Sequence, residues 1–150
     1  MTIRLGILVS RFNENVTSGL LRGARGYLKE RDIDVLDADI ISVPGAYELP
    51  LAAQAIARQK RHDGLICLGC VIKGDTAHFE FISLSASIGL MQASLSTEMP
   101  ISFGILTTYT DEQADLRSRD DDSNKGREAA AACFEMVNLL EQIRQPELVA

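Results

Sequence analysis

The chain has 150 residues, 46% of them hydrophobic, which is enough for one domain with a full core. Its formal charge of −6 argues against nonspecific binding to nucleic acid or anionic membranes, which need a basic face, but leaves room for a small local anion site. No stretch combines a basic start, an apolar segment and a small-residue cleavage site, so no secretory leader is read, and the odd count of three cysteines points to reduced thiols in a cytoplasmic compartment.

The apolar run Ile3 to Val9, interrupted by Arg4 and Gly6, predicts a first strand, and Ser10-Arg11-Phe12-Asn13 a turn. Val16, Leu20, Leu21, Ala24, Tyr27 and Leu28 then recur at helical spacing, while Arg22, Arg25 and Lys29 take another face. Gly19, Gly23 and Gly26 lie inside that helix, each at a cost of about 1 kcal/mol relative to alanine, and close packing of helix on sheet is the expected reason. Ala38 to Val43 predicts a second strand, ended by Pro44-Gly45. Glu48 to Arg58 predicts a second helix, with Pro50 in its first turn, where a missing N–H does no harm. His62, just before the third strand, reads as an exposed loop residue. Leu65 to Lys73 is that strand, and a long helix runs from His78 to Thr97. Pro100 precedes a fourth strand, Ile101 to Thr107, and a short helix follows from Asp111 to about Arg119. A polar loop, Asp120 to Asn124, leads to a last helix, Gly126 to Ile143, striped by Ala129, Ala130, Cys133, Phe134, Val137 and Leu140. No repeat, linker or boundary divides residues 1–150, which read as one domain. Strands alternating with helices predict an α/β fold, a flavodoxin-like three-layer α/β/α sandwich around a four-stranded parallel sheet. Right-handed crossovers give the order 2-1-3-4.

Two features stand out from this frame. Cys67-Leu68-Gly69-Cys70 matches C-x-x-C, but positions i and i+3 of a strand face opposite sides, so buried structural thiols are expected rather than a redox or metal pair. The long helix carries no charge from Phe81 to Thr97. A helix with one solvent face should show charges there, and this one is too rich in serine for a membrane span. Its outer face is therefore expected to be buried against other subunits of a homo-oligomer.

The candidate chemistry lies in the strand-end turns, where ligands bind in parallel α/β sheets. Gly74-Asp75-Thr76-Ala77-His78 joins the third strand to the long helix, so an anion would meet free N–H groups beside a histidine able to move protons near neutral pH. Glu48 follows the turn after the second strand and offers a hydrogen-bond acceptor for hydroxyl or amino groups. Phe12 offers a stacking platform for a flat heterocycle. Phe103 lies within the fourth strand, where a core role is the default. Arg117, Arg119 and Lys125 are the cationic candidates for an anion, and residue chemistry does not choose among them.

Taken together, Ser10-Arg11-Phe12-Asn13, Val43-Pro44-Gly45-Ala46-Tyr47-Glu48, Gly69 through Phe81, Phe103-Gly104-Ile105-Leu106-Thr107-Thr108, Glu112-Gln113-Ala114 and Asn124-Lys125-Gly126 resemble the 6,7-dimethyl-8-ribityllumazine synthases. These pieces lie in order over nearly the whole chain, and jointly they are specific. The resemblance implies condensation of 5-amino-6-(D-ribitylamino)uracil with 3,4-dihydroxy-2-butanone 4-phosphate, the penultimate step of riboflavin synthesis, with no metal and no organic cofactor. It implies that Phe12 stacks on the pyrimidine and that Ala46, Tyr47 and Glu48 bind the ribitylamino side. Cys70, Val71 and Ile72 would present backbone groups to the uracil edge. Asp75 and Thr76 would hold the phosphate with Arg117, selected over Arg119 by gapless counting between the flanking motifs, with Lys125 as a second candidate. His78 would donate and accept protons. Phe103 would come from a neighbouring subunit of a homopentamer built around the third helix. The first strand begins almost at Met1, whereas members commonly carry a further stretch before it, which weighs against a capsid of pentamers but not against the pentamer, and the choice among five, ten and sixty subunits stays open. A non-catalytic shell protein that binds a flavin-like ligand is the alternative, and the intact set Phe12, Glu48, His78 and Arg117 argues against it.

Overall fold

The computed structural model describes residues 2–145. Four strands, β1 (Leu5–Ser10), β2 (Ile40–Val43), β3 (Gly64–Ile72) and β4 (Ile101–Thr108), form one parallel sheet in the order β2-β1-β3-β4. The helices are α1 (Glu14–Lys29), α2 (Leu49–Arg58), α3 (His78–Thr97), α4 (Asp111–Leu116) and α5 (Lys125–Arg144). The expected layers and strand order are thus observed.

Alternation along the strands builds two cores. Ile66, Leu68 and Cys70 of β3 pack with Leu20, Ala24 and Leu28 of α1 and Ala130, Cys133 and Val137 of α5. Leu65, Cys67 and Val71 face the other way, onto Leu49, Ala53 and Ala57 of α2 and Ala86 and Leu90 of α3. β3 is central, with β1 on one side and β4 on the other, and its residues are buried up to Val71. Burial on both faces explains why it reads as an unbroken apolar run rather than an alternating one. Each fully buried leucine or isoleucine contributes about 1.5–3 kcal/mol.

Three expectations are corrected. The second strand begins at Ile40, not Ala38, because residues Asp37–Asp39 close a 3-10 turn that swings the Asp39 carboxylate to Arg4 and His62. The first strand begins at Leu5, because the Arg4 N–H donates to the Asp63 side chain (2.7 Å) instead of entering the ladder. The α1 glycines do not serve contact with the sheet. A Cβ at Gly19 would come within 2.3 Å of the Ser118 carbonyl oxygen, and one at Gly23 within 2.0 Å of Asn124 Oδ1, so they admit the loop between α4 and α5. Gly26 would meet nothing within 4 Å.

Candidate active site

Three turns converge at the carboxyl ends of β1, β2 and β3. In the first, the Arg11 and Phe12 N–H groups donate to the carbonyls of Val43 (2.9 Å) and Pro44 (3.1 Å), pinning the turn to the end of β2. Asn13 takes the left-handed conformation (φ 59°), which asparagine tolerates, and its side-chain amide donates to the Cys70 carbonyl at 2.9 Å. Phe12 is thus fixed through its backbone while its ring stands 69% exposed. In the second turn, residues Ala46–Glu48 form a single 3-10 turn leading into α2, with Ala46 buried and Tyr47 and Glu48 facing outward.

The third turn joins β3 to α3. Ala77 is the N-cap of α3 and supplies no side-chain acceptor. Thr76 Oγ1 takes a long hydrogen bond from the His78 N–H at 3.3 Å. An uncapped first turn leaves N–H groups and a positive dipole end for an anion. Lys73 Nζ reaches Glu80 at 2.7 Å across the turn, an exposed pair that solvent screens. The three turns enclose a cavity of about 560 Å³, lined by Phe12, the stretch from Ala46 to Glu48, the β3 end from Cys70 to Ile72, Thr76 and His78. Asp75 stands exposed on the same turn, outside that lining.

The cationic candidates lie elsewhere on the chain. Arg117 and Lys125 line a second groove of about 330 Å³ along β4, together with Phe103. Phe103 is 46% exposed on this edge strand, so core packing is not its role. The Lys125 N–H donates to the Arg117 carbonyl at 2.8 Å, which ties the two cations' backbones together. Arg119 is outside the groove and pairs with Asp115 at 2.9 Å. One chain therefore gathers Phe12, Glu48, Ile72 and His78 at one site and Phe103, Arg117 and Lys125 at another, and does not bring Arg117 to Asp75 and Thr76. Glu128 shares the second groove and holds Lys125 Nζ at 2.8 Å. It was missed by sequence reasoning, although its i,i+3 spacing from Lys125 was readable. Asn13 was missed too, because a side chain reaching a strand end 57 positions away leaves no local signal.

The thiols are unpaired and buried. Burial, with a smaller push from the Asp111 charge, moves the Cys70 thiol up to about 12, and burial moves Cys133 to about 12. Cys67 is also raised, so none is a thiolate near neutral pH. Cys67 and Cys70 belong to opposite cores, as their spacing predicted.

His62 is a correction. It is not an exposed loop residue, since its side chain is 6% exposed and its Nε2 lies 2.7 Å from Asp39 Oδ1, with Arg4 NH2 2.9 Å from the same oxygen. This cluster sits at the amino ends of the strands, remote from both sites. Among the described residues no group of three or more His, Cys, Asp or Glu side chains could hold a metal ion, and no helix is long and apolar enough to cross a membrane.

Residues 2–141 match the family model of 6,7-dimethyl-8-ribityllumazine synthase. The chain is also 62% identical over 145 residues to 6,7-dimethyl-8-ribityllumazine synthase 1 of Caulobacter vibrioides (strain ATCC 19089 / CIP 103742 / CB 15), covering 97% of this chain and 95% of that protein.

Proposed function

The chain belongs to the 6,7-dimethyl-8-ribityllumazine synthase family, a transferase that condenses 5-amino-6-(D-ribitylamino)uracil with 3,4-dihydroxy-2-butanone 4-phosphate to the lumazine, phosphate and water, and from that premise we propose how its residues divide the work. The pyrimidine stacks on Phe12, and the backbone of Cys70, Val71 and Ile72 meets its uracil edge. The ribityl chain runs toward Ala46, Tyr47 and Glu48. The phosphate sits at the uncapped start of α3, against Asp75 and Thr76. The 5-amino group then attacks the ketone, one water leaves as the imine forms, phosphate is eliminated, and the ribitylamino nitrogen adds to the carbonyl that results, closing the ring with loss of a second water. His78 gives and takes the protons of these steps from the edge of the cavity. No cysteine acts as nucleophile. We read the reaction as needing no metal or organic cofactor, because positioning and proton transfer suffice for imine and ring formation.

The observation that carries this reading is the division into two half-sites. Phe12, Glu48 and His78 line one cavity, and Phe103, Arg117 and Lys125 line a separate groove. We infer that the groove of one subunit closes the cavity of the next, so that Phe103 covers the pyrimidine and Arg117, with Lys125 behind it, completes the phosphate site. A homopentamer around α3 supplies that juxtaposition, and the exposed Phe81, Leu84, Ile88, Met91 and Leu95 on this helix support it. We also read residues 1–150 as one domain, located in the cytoplasm, as three free buried thiols support.

Purified protein given both substrates is expected to form a fluorescent lumazine well above the uncatalysed rate. Tight binding of a lumazine without turnover would favour a non-catalytic shell protein instead. Arg117→Ala is expected mainly to raise KM for the butanone phosphate. The same effect from Arg119→Ala, with Arg117→Ala silent, would overturn the assignment of the phosphate ligand.

A further inference from the structure

Asn124 is 1% exposed, and its side-chain amide is saturated. Its Nδ2 donates to the carbonyls of Gly19 (3.0 Å) and Arg119 (2.8 Å), and its Oδ1 accepts from the N–H groups of Gly126 (2.9 Å) and Arg127 (3.0 Å). Two donors and two acceptors are all that a primary amide offers. One side chain therefore joins three pieces of chain: the body of α1, the loop after α4 and the first turn of α5. The approach to α1 exists only because Gly23 has no Cβ, which would lie 2.0 Å from Asn124 Oδ1. The fastened pieces are the ones that carry the cations. Arg117 precedes the loop, Lys125 follows Asn124 directly, and their backbones are bonded to each other at 2.8 Å.

We propose that Asn124, seated in the Gly23 notch of α1, is the positioning residue of the phosphate site. It touches no substrate; it sets the spacing and direction of Arg117 and Lys125 relative to the rest of the groove. This inference rests on the phosphate role given to Arg117 above. A carbonyl-to-amide clamp of this kind does not reach the cavity that holds the ribitylaminouracil, so its loss bears on one substrate and not the other.

The test compares KM for each substrate in Asn124→Asp, Gly23→Ala, Gly26→Ala and Arg117→Ala. Asn124→Asp keeps the acceptor for the α5 N–H groups but loses both donations and sets a carboxylate against two carbonyls. Gly23→Ala drives a Cβ from α1 against Asn124 while leaving the amide and its donors and acceptors chemically unchanged. Both are expected to raise KM for the butanone phosphate roughly five- to twentyfold, with KM for the ribitylaminouracil within about twofold of wild type, as for small misplacements of a binding group. Gly26→Ala, with open space around it, is expected to leave both unchanged. If Arg117→Ala raises the phosphate-substrate KM but folded Asn124→Asp and Gly23→Ala do not, the positioning role is overturned and the phosphate site stands. If both KM values rise together in the clamp variants, the residue is merely structural and the inference also fails. If Arg117→Ala itself is silent, the phosphate reading falls and takes the inference with it. Should Asn124→Asp not fold, Gly23→Ala decides by the same outcomes.

Discussion

His78 opens α3 and lines the cavity, in keeping with the proton-transfer role proposed for it. His78→Ala is expected to slow turnover roughly ten- to several-hundredfold, below the full range of general acid–base catalysis because the uncatalysed condensation is already feasible. An unchanged rate in steady-state assay would remove it from the mechanism. The other histidine acts on stability. The Asp39 carboxyl is held below the usual carboxylate range, chiefly by its hydrogen bond from the Arg4 guanidinium and further by His62, against the opposing effect of burial. A lowered folded value stabilises fully above the unfolded pKa of about 3.9, and that contribution is lost as pH falls through the lowered value. Asp39→Asn is expected to cost about 2 kcal/mol at neutral pH and to flatten the acid limb of the stability curve, which chemical denaturation between pH 3 and 7 would reveal. An acid limb as steep as wild type would show that other carboxylates set it. Phe12 and Glu48 were legible because strand-end turns announce themselves in sequence. His62 was not, because its partners Arg4 and Asp39 precede other strands and only the sheet brings the three together.

At the scale of elements, the third helix was readable from about His78 to Thr97, as observed, because a glycine turn precedes it and a proline follows. The starts of β1 and β2 were not, since side-chain bonds to Asp63 and from Arg4 and His62 override strand propensity there. Gly19 and Gly23 were legible as close contacts but not as to what they contact, and Gly26 makes none. Gly104 of β4 is a further case. A Cβ there would come 2.9 Å from Ala129 Cβ of α5 and 2.9 Å from the Cys67 carbonyl oxygen. Gly104→Ala is therefore expected to destabilise by about 1–3 kcal/mol through overpacking, lowering the midpoint of thermal unfolding by several degrees. No shift in the melting curve would mean that α5 can move off the sheet at little cost.

For the whole molecule, the sequence showed an uncharged helix, and the structure shows what that leaves on the surface: Leu84, Ile88, Met91 and Leu95 are exposed large side chains on one element. Exposed apolar side chains grouped on one helix support the subunit interface proposed above. Ile88→Asp is expected to yield a smaller species by light scattering and, because the half-sites would part, to lose most activity with it. A small species of full activity would refute the shared site. The family resemblance put Phe103 on a neighbouring subunit, but residue chemistry alone did not reveal that Arg117 and Lys125 share its groove, because only the fold brings β4 and the start of α5 together.

The proposed sharing of half-sites between subunits has a genetic consequence. A chain carrying His78→Ala still offers an intact groove, and a chain carrying Arg117→Ala still offers an intact cavity. On that reading, two crippled alleles expressed in one cell are expected to complement each other. With random assembly about one interface in four unites both unaltered halves, the product of two even chances in a ring of heterologous contacts. Activity in the mixture above either parent would report that each chain finishes its neighbour's catalyst.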